Sequence, residues 1–529
     1  MNEMPGNLII RDIEAEDLAI EVTRLMQADA RLMYASGVDM GIPGIRIDYY
    51  FCFDQQQPSR HELLRMYIDR KNPVIQSVTP ITTQADWAER EMIEFLGVQV
   101  KNHPDPRHLW LPLNWEDMHT ETNPDRNPES ERVNTSPQPH PPGDNIFSKH
   151  LSVVPYGPYH PALIESNYLK MSVEDEIVKD VDLKLGFNHR SIIKLMERRD
   201  YYKDIFLAER ICGFCNVHQS LAFVLAVEDI AGVEIPIKAQ YTRTLLCEME
   251  RMKSHLLAIG LMGDLTGYRT MLMHSIRLRE EILDSLEVLS GQRITHGMIT
   301  LGGIRSDVTA DHADLILSKL QNLEHSVPQY FDQCLANDVF VGRLKNTGIL
   351  KPEEAIRFGA VGPTARGSGL SVDIRKNSPY AAYESVDWDI VTENGGDCYA
   401  RMQVRMREAL MSLHICRQCC EEIKTAPSAI ITEVPELPCG EGLAKTEPPR
   451  GELLYHVASN GTNTPDFVRL RVPTFPNVRI MLNLIKGSSL GDVPVIIGSI
   501  DPCFSCTDRV TVLKEYEQPV VNTGASRKA

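Results

Sequence analysis

The chain has 529 residues, 43% of them hydrophobic and 24% charged, with a formal charge of −17, which allows two or three domains around a large core and excludes the low-complexity classes. The acidic balance argues against a nucleic-acid partner, which needs a basic patch, and no run approaches the ~20 consecutive apolar residues of a membrane span. The opening MNEMPGNLIIRDIEAEDLAI carries early acids and no basic stretch before an apolar core, so no secretory signal is expected.

In chain order, IRIDYYFCF (45–53) alternates and is rich in β-formers, and ADWAEREMIEFLGV (85–98) has apolar residues at helical spacing and stops at Gly97. NPDRNPESERVNTSPQPHPPGDN (123–145) is nearly devoid of apolar residues and reads as an interdomain linker. Beyond 146, amphipathic segments at 238–260, 276–290, 311–324 and 399–423 predict a mainly helical domain. VRLRVPTFPNVRIML (468–482) leans towards strand, and a polar tail follows Arg509. The expected fold class is an α+β N-terminal domain over 1–122, the linker, and a mainly α-helical domain with small β elements over 146–509.

Twelve cysteines without an export signal point to metal or redox chemistry rather than disulfides. Two C-x-x-C pairs stand out, Cys212 with Cys215 in ERICGFC and Cys503 with Cys506 in DPCFSC. Two such pairs make an S₄ site, and on chemistry alone zinc, an iron–sulfur cluster or nickel all suit it. A zinc ribbon places its pairs ~15–20 residues apart, whereas these flank nearly a whole domain. Cys416, Cys419 and Cys420 lie in a helical run and fit a buried stripe. Cys52, Cys247, Cys334, Cys398 and Cys439 are solitary and read as small hydrophobes. For His255, a satisfied core histidine and a functional one are equally open.

The residues around the pairs carry a resemblance. R-I-C-G-x-C near the start of a domain, with D-P-C-x-x-C near its end, is similar to the paired signature of the NiFe-hydrogenase large subunit. The whole chain resembles the fused large subunit of formate hydrogenlyase-type, energy-converting hydrogenases, which are relatives of respiratory complex I. Glu89-Arg90-Glu91, Gly97-Val98 and His103-Pro104-Asp105-Pro106-Arg107 resemble the signature of complex I's 30-kilodalton subunit. HRSIIKL (189–195), ERMKSHLL (250–257), GGIRSD (302–307), GPTARGSG (362–369) and GGDCYARMQVR (395–405) resemble both these hydrogenases and complex I's quinone-site subunit, which lacks the four cysteines.

The resemblance implies an H₂-converting enzyme with nickel on Cys212, Cys215, Cys503 and Cys506. Cys212 and Cys503 would be terminal ligands. Cys215 and Cys506 would bridge to an iron carrying CO and cyanide. It further implies that Glu165 relays protons away from the bridging cysteine, Arg450 overhangs the open metal face, and Val472-Pro473-Thr474 surrounds the iron, with the Thr474 hydroxyl bonding a cyanide. The implied partners are a small subunit bearing 4Fe–4S clusters, membrane antiporter-like subunits, and a maturation endopeptidase cutting after Arg509 to release Val510–Ala529. The implied location is peripheral, on the cytoplasmic face of the cell membrane. Two positions depart from the pattern. Ile193 stands where the family has a glutamate for a magnesium or similar ion, so either that ion is absent or another carboxylate holds it. Gln219 stands in place of a histidine, with His218 one residue early, so either His218 substitutes or Gln219 donates the hydrogen bond.

Overall fold

A computed structural model describes residues 2–4, 8–41, 44–54, 59–110, 151–161 and 163–507. The linker, Arg509 and the tail after it lie outside the described residues. The N-terminal region is a five-stranded sheet in the order Asn2–Met4, Leu8–Asp12, Arg60–Ile68, Ile45–Phe53, Arg31–Asp39. Its pairs are antiparallel except Leu8–Asp12 with Arg60–Ile68. The Asp86–Leu96 helix packs near its Arg31–Asp39 edge and ends on Gly97, whose left-handed φ of 66° closes the last turn. The charged signature on this helix proves structural. Glu89 accepts hydrogen bonds from Ser77 Oγ, Val78 N and Thr79 Oγ1, Arg90 Nε donates to the Arg107 carbonyl, and Glu94 accepts the Trp110 N–H. These bonds fix the segment leading to Trp110.

Every residue of Ile45–Phe53 is buried, although the strand alternates in polarity. The cause is a second sheet, the antiparallel strands Cys439–Thr446, Leu453–Asn460 and Pro465–Arg471, which lies beside the first. The polar face is neutralised across this interface. Glu441 accepts Arg65 Nη2 at 2.6 Å and Arg46 Nη1 at 3.1 Å, and Asp48 accepts Arg65 Nε at 2.9 Å. His456 meets Glu441 through Nε2 at 2.9 Å and Tyr50 Oη through Nδ1 at 2.7 Å. Arg31 joins Asp54 and Glu452. Buried pairs of this kind add little net stability over apolar packing but fix register, because leaving one member alone costs ~3–5 kcal/mol.

The second region opens with an antiparallel meander, Ser152–Tyr156, Tyr168–Glu174 and Ile177–Lys184. Four long helices follow, Ile237–Leu265, Arg269–Ser290, Ala310–Leu335 and Cys398–Thr425, each packed on its neighbours in a ring. The Asn216–Ala231 helix lies on the Cys439–Thr446 and Leu453–Asn460 strands, and the Val493–Ile500 helix packs against the bundle. The fold is therefore an α+β N-terminal region followed by a mainly helical one with small sheets.

The run 468–482 departs from its strand-like reading. The strand stops at Arg471 and Thr474–Ile485 is helical. Pro473, at φ −62° and ψ −28°, starts the helix, and Pro476 sits in its first turn, where a missing N–H costs nothing. Phe475, Val478, Met481 and Ile485 then share its buried side.

Candidate metal centre

The first cysteine pair is set by a helix start. The Tyr201–Glu209 helix ends just before Cys212, and Cys215 is the residue preceding the Asn216–Ala231 helix. Cys212 Sγ accepts the Phe214 and Cys215 N–H groups at 3.3 and 3.4 Å. The exposed helix N–H groups are capped from another element. Glu250 of Ile237–Leu265 accepts Val217 N at 2.9 Å and His218 N at 3.2 Å, and meets His218 Nδ1 at 2.6 Å.

The second pair follows a sharp turn. Asp501 ends Val493–Ile500 in the left-handed region, at φ 56° and ψ 56°. Arg450 clamps that residue, with Nε donating to the Asp501 carbonyl and Nη2 to Oδ1, both at 2.7 Å. Thr474 Oγ1 accepts Cys503 N at 3.0 Å, and Thr507 Oγ1 donates to the Cys503 carbonyl at 3.1 Å. Glu165 Oε2 accepts Ser505 N at 2.8 Å.

The four thiols converge. Cys212 Sγ lies 3.4 Å from Cys503 Sγ, Cys503 Sγ 3.0 Å from Cys506 Sγ, and Cys215 Sγ 3.9 Å from Cys506 Sγ. The sulfurs of Cys212, Cys215 and Cys506 all lie within 4.8 Å of one another. None of the four residues is more than 2% exposed. An ion with 2.3 Å bonds to tetrahedral sulfurs needs them about 3.8 Å apart, so Cys212, Cys215 and Cys506 suit one soft metal, with Cys503 Sγ beside Cys212 and Cys506, and no other such group occurs among the described residues. Burial pushes the Cys212 thiol up, but hydrogen bonds from the other three thiols and the Arg450 charge outweigh it and hold it well below its usual range. The hydrogen bond to Cys212 drives Cys215 and Cys503 well above theirs, and burial does the same to Cys506. The site thus stabilises one thiolate by itself and needs a cation to hold more.

Around the sulfurs, Glu165 Oε1 meets Cys503 Sγ at 3.5 Å. That places it on a cysteine expected to be terminal, not on one expected to bridge. Burial raises its carboxyl, helped by the negative charge of Cys212. Arg450 also lies over the Phe214 ring, with its guanidinium carbon 5.0 Å from the centroid. Thr474 spends a lone pair on Cys503 N, which leaves its own hydroxyl proton uncommitted to that bond. Pro473 is buried beside it. Gln219, not His218, faces the sulfurs. Its Nε2 lies 3.8 Å from Cys215 Sγ and 3.9 Å from Cys506 Sγ, while its Oε1 accepts the Tyr455 hydroxyl at 2.8 Å. Ile193 is packed in the core and ligates nothing.

Comparison with known proteins agrees with this architecture. Residues 12–127 match the respiratory-chain NADH dehydrogenase 30 Kd subunit, 265–433 and 428–509 the 49 Kd subunit, and 190–259 the nickel-dependent hydrogenases. The membrane-bound hydrogenase subunit alpha of Pyrococcus furiosus is 37% identical over 70% of this chain and 90% of its own. Formate hydrogenlyase subunit 5 of Escherichia coli is 33% identical over 85% and 79%. The C/D component of the NADH-quinone oxidoreductase of Phocaeicola vulgatus is 31% identical over 94% and 99%. The chain belongs to the membrane-bound hydrogenase and complex I subunit family. It joins a 30-kilodalton-like and a 49-kilodalton-like domain in one polypeptide.

Within this family frame the remaining cysteines sort by burial. Cys416, Cys419 and Cys420 are fully buried in the bundle, and burial pushes their thiols up, Cys420 to about 12. They pack as core residues. Cys52, Cys247, Cys334 and Cys398 are buried too, whereas Cys439 is exposed. His255 Nε2 donates to the Glu408 carboxylate at 2.9 Å, and burial lowers it to about 3, as befits a neutral core histidine. Three residues near the cysteines escaped sequence reasoning. Glu250 and Arg190 lie inside the motifs ERMKSHLL and HRSIIKL, but only contacts 20 or more residues away reveal what they hold. Tyr455 carried no motif at all.

Proposed function

We propose that this chain is the catalytic subunit of a membrane-associated NiFe-hydrogenase that interconverts H₂ with two protons and two electrons, within a formate hydrogenlyase-like complex. The observation that carries the reading is the convergence of four buried sulfurs from two C-x-x-C pairs 291 residues apart in sequence. A site that only binds quinone requires no thiolate cage. When bound, a nickel–iron pair with CO and cyanide on iron supplies the redox-active centre at which the H–H bond is broken heterolytically.

The chain's own groups do the rest. Cys212, Cys215, Cys503 and Cys506 would hold the metals. Arg450 fixes a guanidinium beside the cage and adds positive potential there. Gln219 offers its amide N–H to Cys215 and Cys506, the pair read as bridging, and Tyr455 keeps that amide from turning over. Pro473 and Thr474 would stand beside the iron. Glu165 takes the proton from the sulfur it touches and passes it outward at Oε1. A 360 Å³ cleft lined by Tyr159, His160, Ile164, Glu165 and Ser166 gives that proton an exit. Electrons leave through a small subunit with 4Fe–4S clusters. Antiporter-like membrane subunits anchor the assembly at the cytoplasmic face; no described helix of this chain is long and apolar enough to cross a membrane. An endopeptidase cut after Arg509 completes maturation. Ile193, packed in the core, offers no ligand to a magnesium or similar ion.

A second reading is favoured by the near full-length similarity to the C/D component of an NADH-quinone oxidoreductase, and makes the chain a non-catalytic coupling or quinone-type subunit. H₂/D⁺ exchange by the purified complex separates the two. The hydrogenase reading expects exchange in the wild type and its loss in Cys506→Ser. A complex without exchange, or a Cys506→Ser variant that behaves as wild type, supports the second reading.

A further inference from the structure

Arg190 spends all three nitrogens of its guanidinium on backbone carbonyls. Nη1 donates to Arg210 O at 2.6 Å, Nη2 to Ile211 O at 2.8 Å and to Ser505 O at 3.1 Å, and Nε to Asn188 O at 3.3 Å. Arg210 and Ile211 immediately precede Cys212, and Ser505 lies between Cys503 and Cys506. One side chain therefore ties the loop of the first cysteine pair to the loop of the second. A planar fork with donors on two edges suits this, whereas a lysine ammonium concentrates its donors at one point.

Two other ties cross between the pairs. Arg450 holds Asp501 and covers Phe214, and Gln219 reaches Cys215 and Cys506. Both are buried. Arg190 is exposed and stands on the outer edge of the cage. The segment it holds is fixed at its other end by Arg405, whose Nη2 donates to the Ser499 and Ile500 carbonyls, and by the Arg450 clamp on Asp501. Without the outer tie, 502–507 is held by inner contacts alone: Thr474 on Cys503 N, Glu165 on Ser505 N and Gln219 at Cys506.

We propose that Arg190 is a positioning residue that works as the clasp of the metal cage: it seats the second cysteine loop against the first, and its release opens the path by which metal enters and leaves. This rests on the metal-centre reading for its purpose but not for its geometry. The test uses the full-length chain produced without nickel, with iodoacetamide as probe and mass spectrometry to read alkylation residue by residue. Arg190→Gln is expected to raise the alkylation rates of Cys503 and Cys506 about tenfold, the scale set by losing one charge-assisted hydrogen bond. Arg190→Lys should give an intermediate rate, and buried Cys416 should be unchanged in both. Unchanged rates at Cys503 and Cys506 would overturn the clasp, and so would a parallel rise at Cys416, which signals general loosening. In the assembled complex the same variants should lose nickel to a chelator faster than wild type. If the wild-type complex holds no nickel, the metal reading fails while the alkylation result still decides the clasp.

Discussion

Glu165→Gln is expected to lower H₂/D⁺ exchange by about 10²–10⁴-fold, the range a positioned general acid–base group supplies, while nickel content stays at the wild-type level. The amide oxygen still accepts Ser505 N, so the loop bearing Cys503 and Cys506 keeps its seat. What disappears is the carboxylate that meets Cys503 Sγ at 3.5 Å on the wall of the outer cleft. A neutral amide of the same shape cannot carry a proton between the two. Exchange at the wild-type rate in a nickel-replete Glu165→Gln complex would mean that protons leave by another route.

Arg450→Ala is expected to be the most damaging single change outside the cysteines. Arg450 and Asp501 are each 5% exposed, and the two bonds between them hold a left-handed turn directly before the second pair. Removing the cation leaves a buried carboxylate whose remaining cation is Arg405, at 3.6 Å. Breaking a buried pair costs up to about 3–5 kcal/mol when the remaining charge has no other partner, and Arg405 offsets part of that here. The variant should show a lower apparent melting temperature and should fail to retain nickel, because the turn that aims Cys503 inward relaxes. Arg450→Lys keeps the charge but not the fork, so it should fall between alanine and wild type in both measurements. Wild-type melting and nickel retention in Arg450→Ala would show that the turn is held by its neighbours alone.

What the sequence made legible follows the range of the interactions. Strand 45–53 and the helix stop at Gly97 were readable because alternation and a left-handed glycine are local signals. The 311–324 segment is the start of a longer helix, Ala310–Leu335, that passes through Pro328. The buried stripe continued by Val327, Tyr330, Phe331 and Cys334 outweighs the backbone bond that proline removes. At 468–482 the β-forming residues hid a helical spacing that the two prolines, at the start and in the first turn, already allowed.

The cysteines were legible for the same local reason, since C-x-x-C spacing is written in four residues. Their convergence was expected from the paired motifs, whereas the place of Glu165 on Cys503 rather than on a bridging cysteine required the fold. The Gln219 departure resolves in the same way. His218 is the nearer chemical match to the missing histidine, but Glu250 holds its ring, and the next residue along the helix turns to the sulfurs. The N-terminal sheet shows the largest gap between sequence and structure. Nothing in IRIDYYFCF announces that Arg46, paired with Asp48, will be buried against Glu441, almost four hundred residues later.

The nickel–iron reading of the four sulfurs is tested most directly by infrared spectroscopy and elemental analysis of the purified, matured complex. Nickel and iron are expected to accompany the chain, together with CO and cyanide stretching bands that vanish in Cys506→Ser. A complex without nickel and without those bands would contradict that reading.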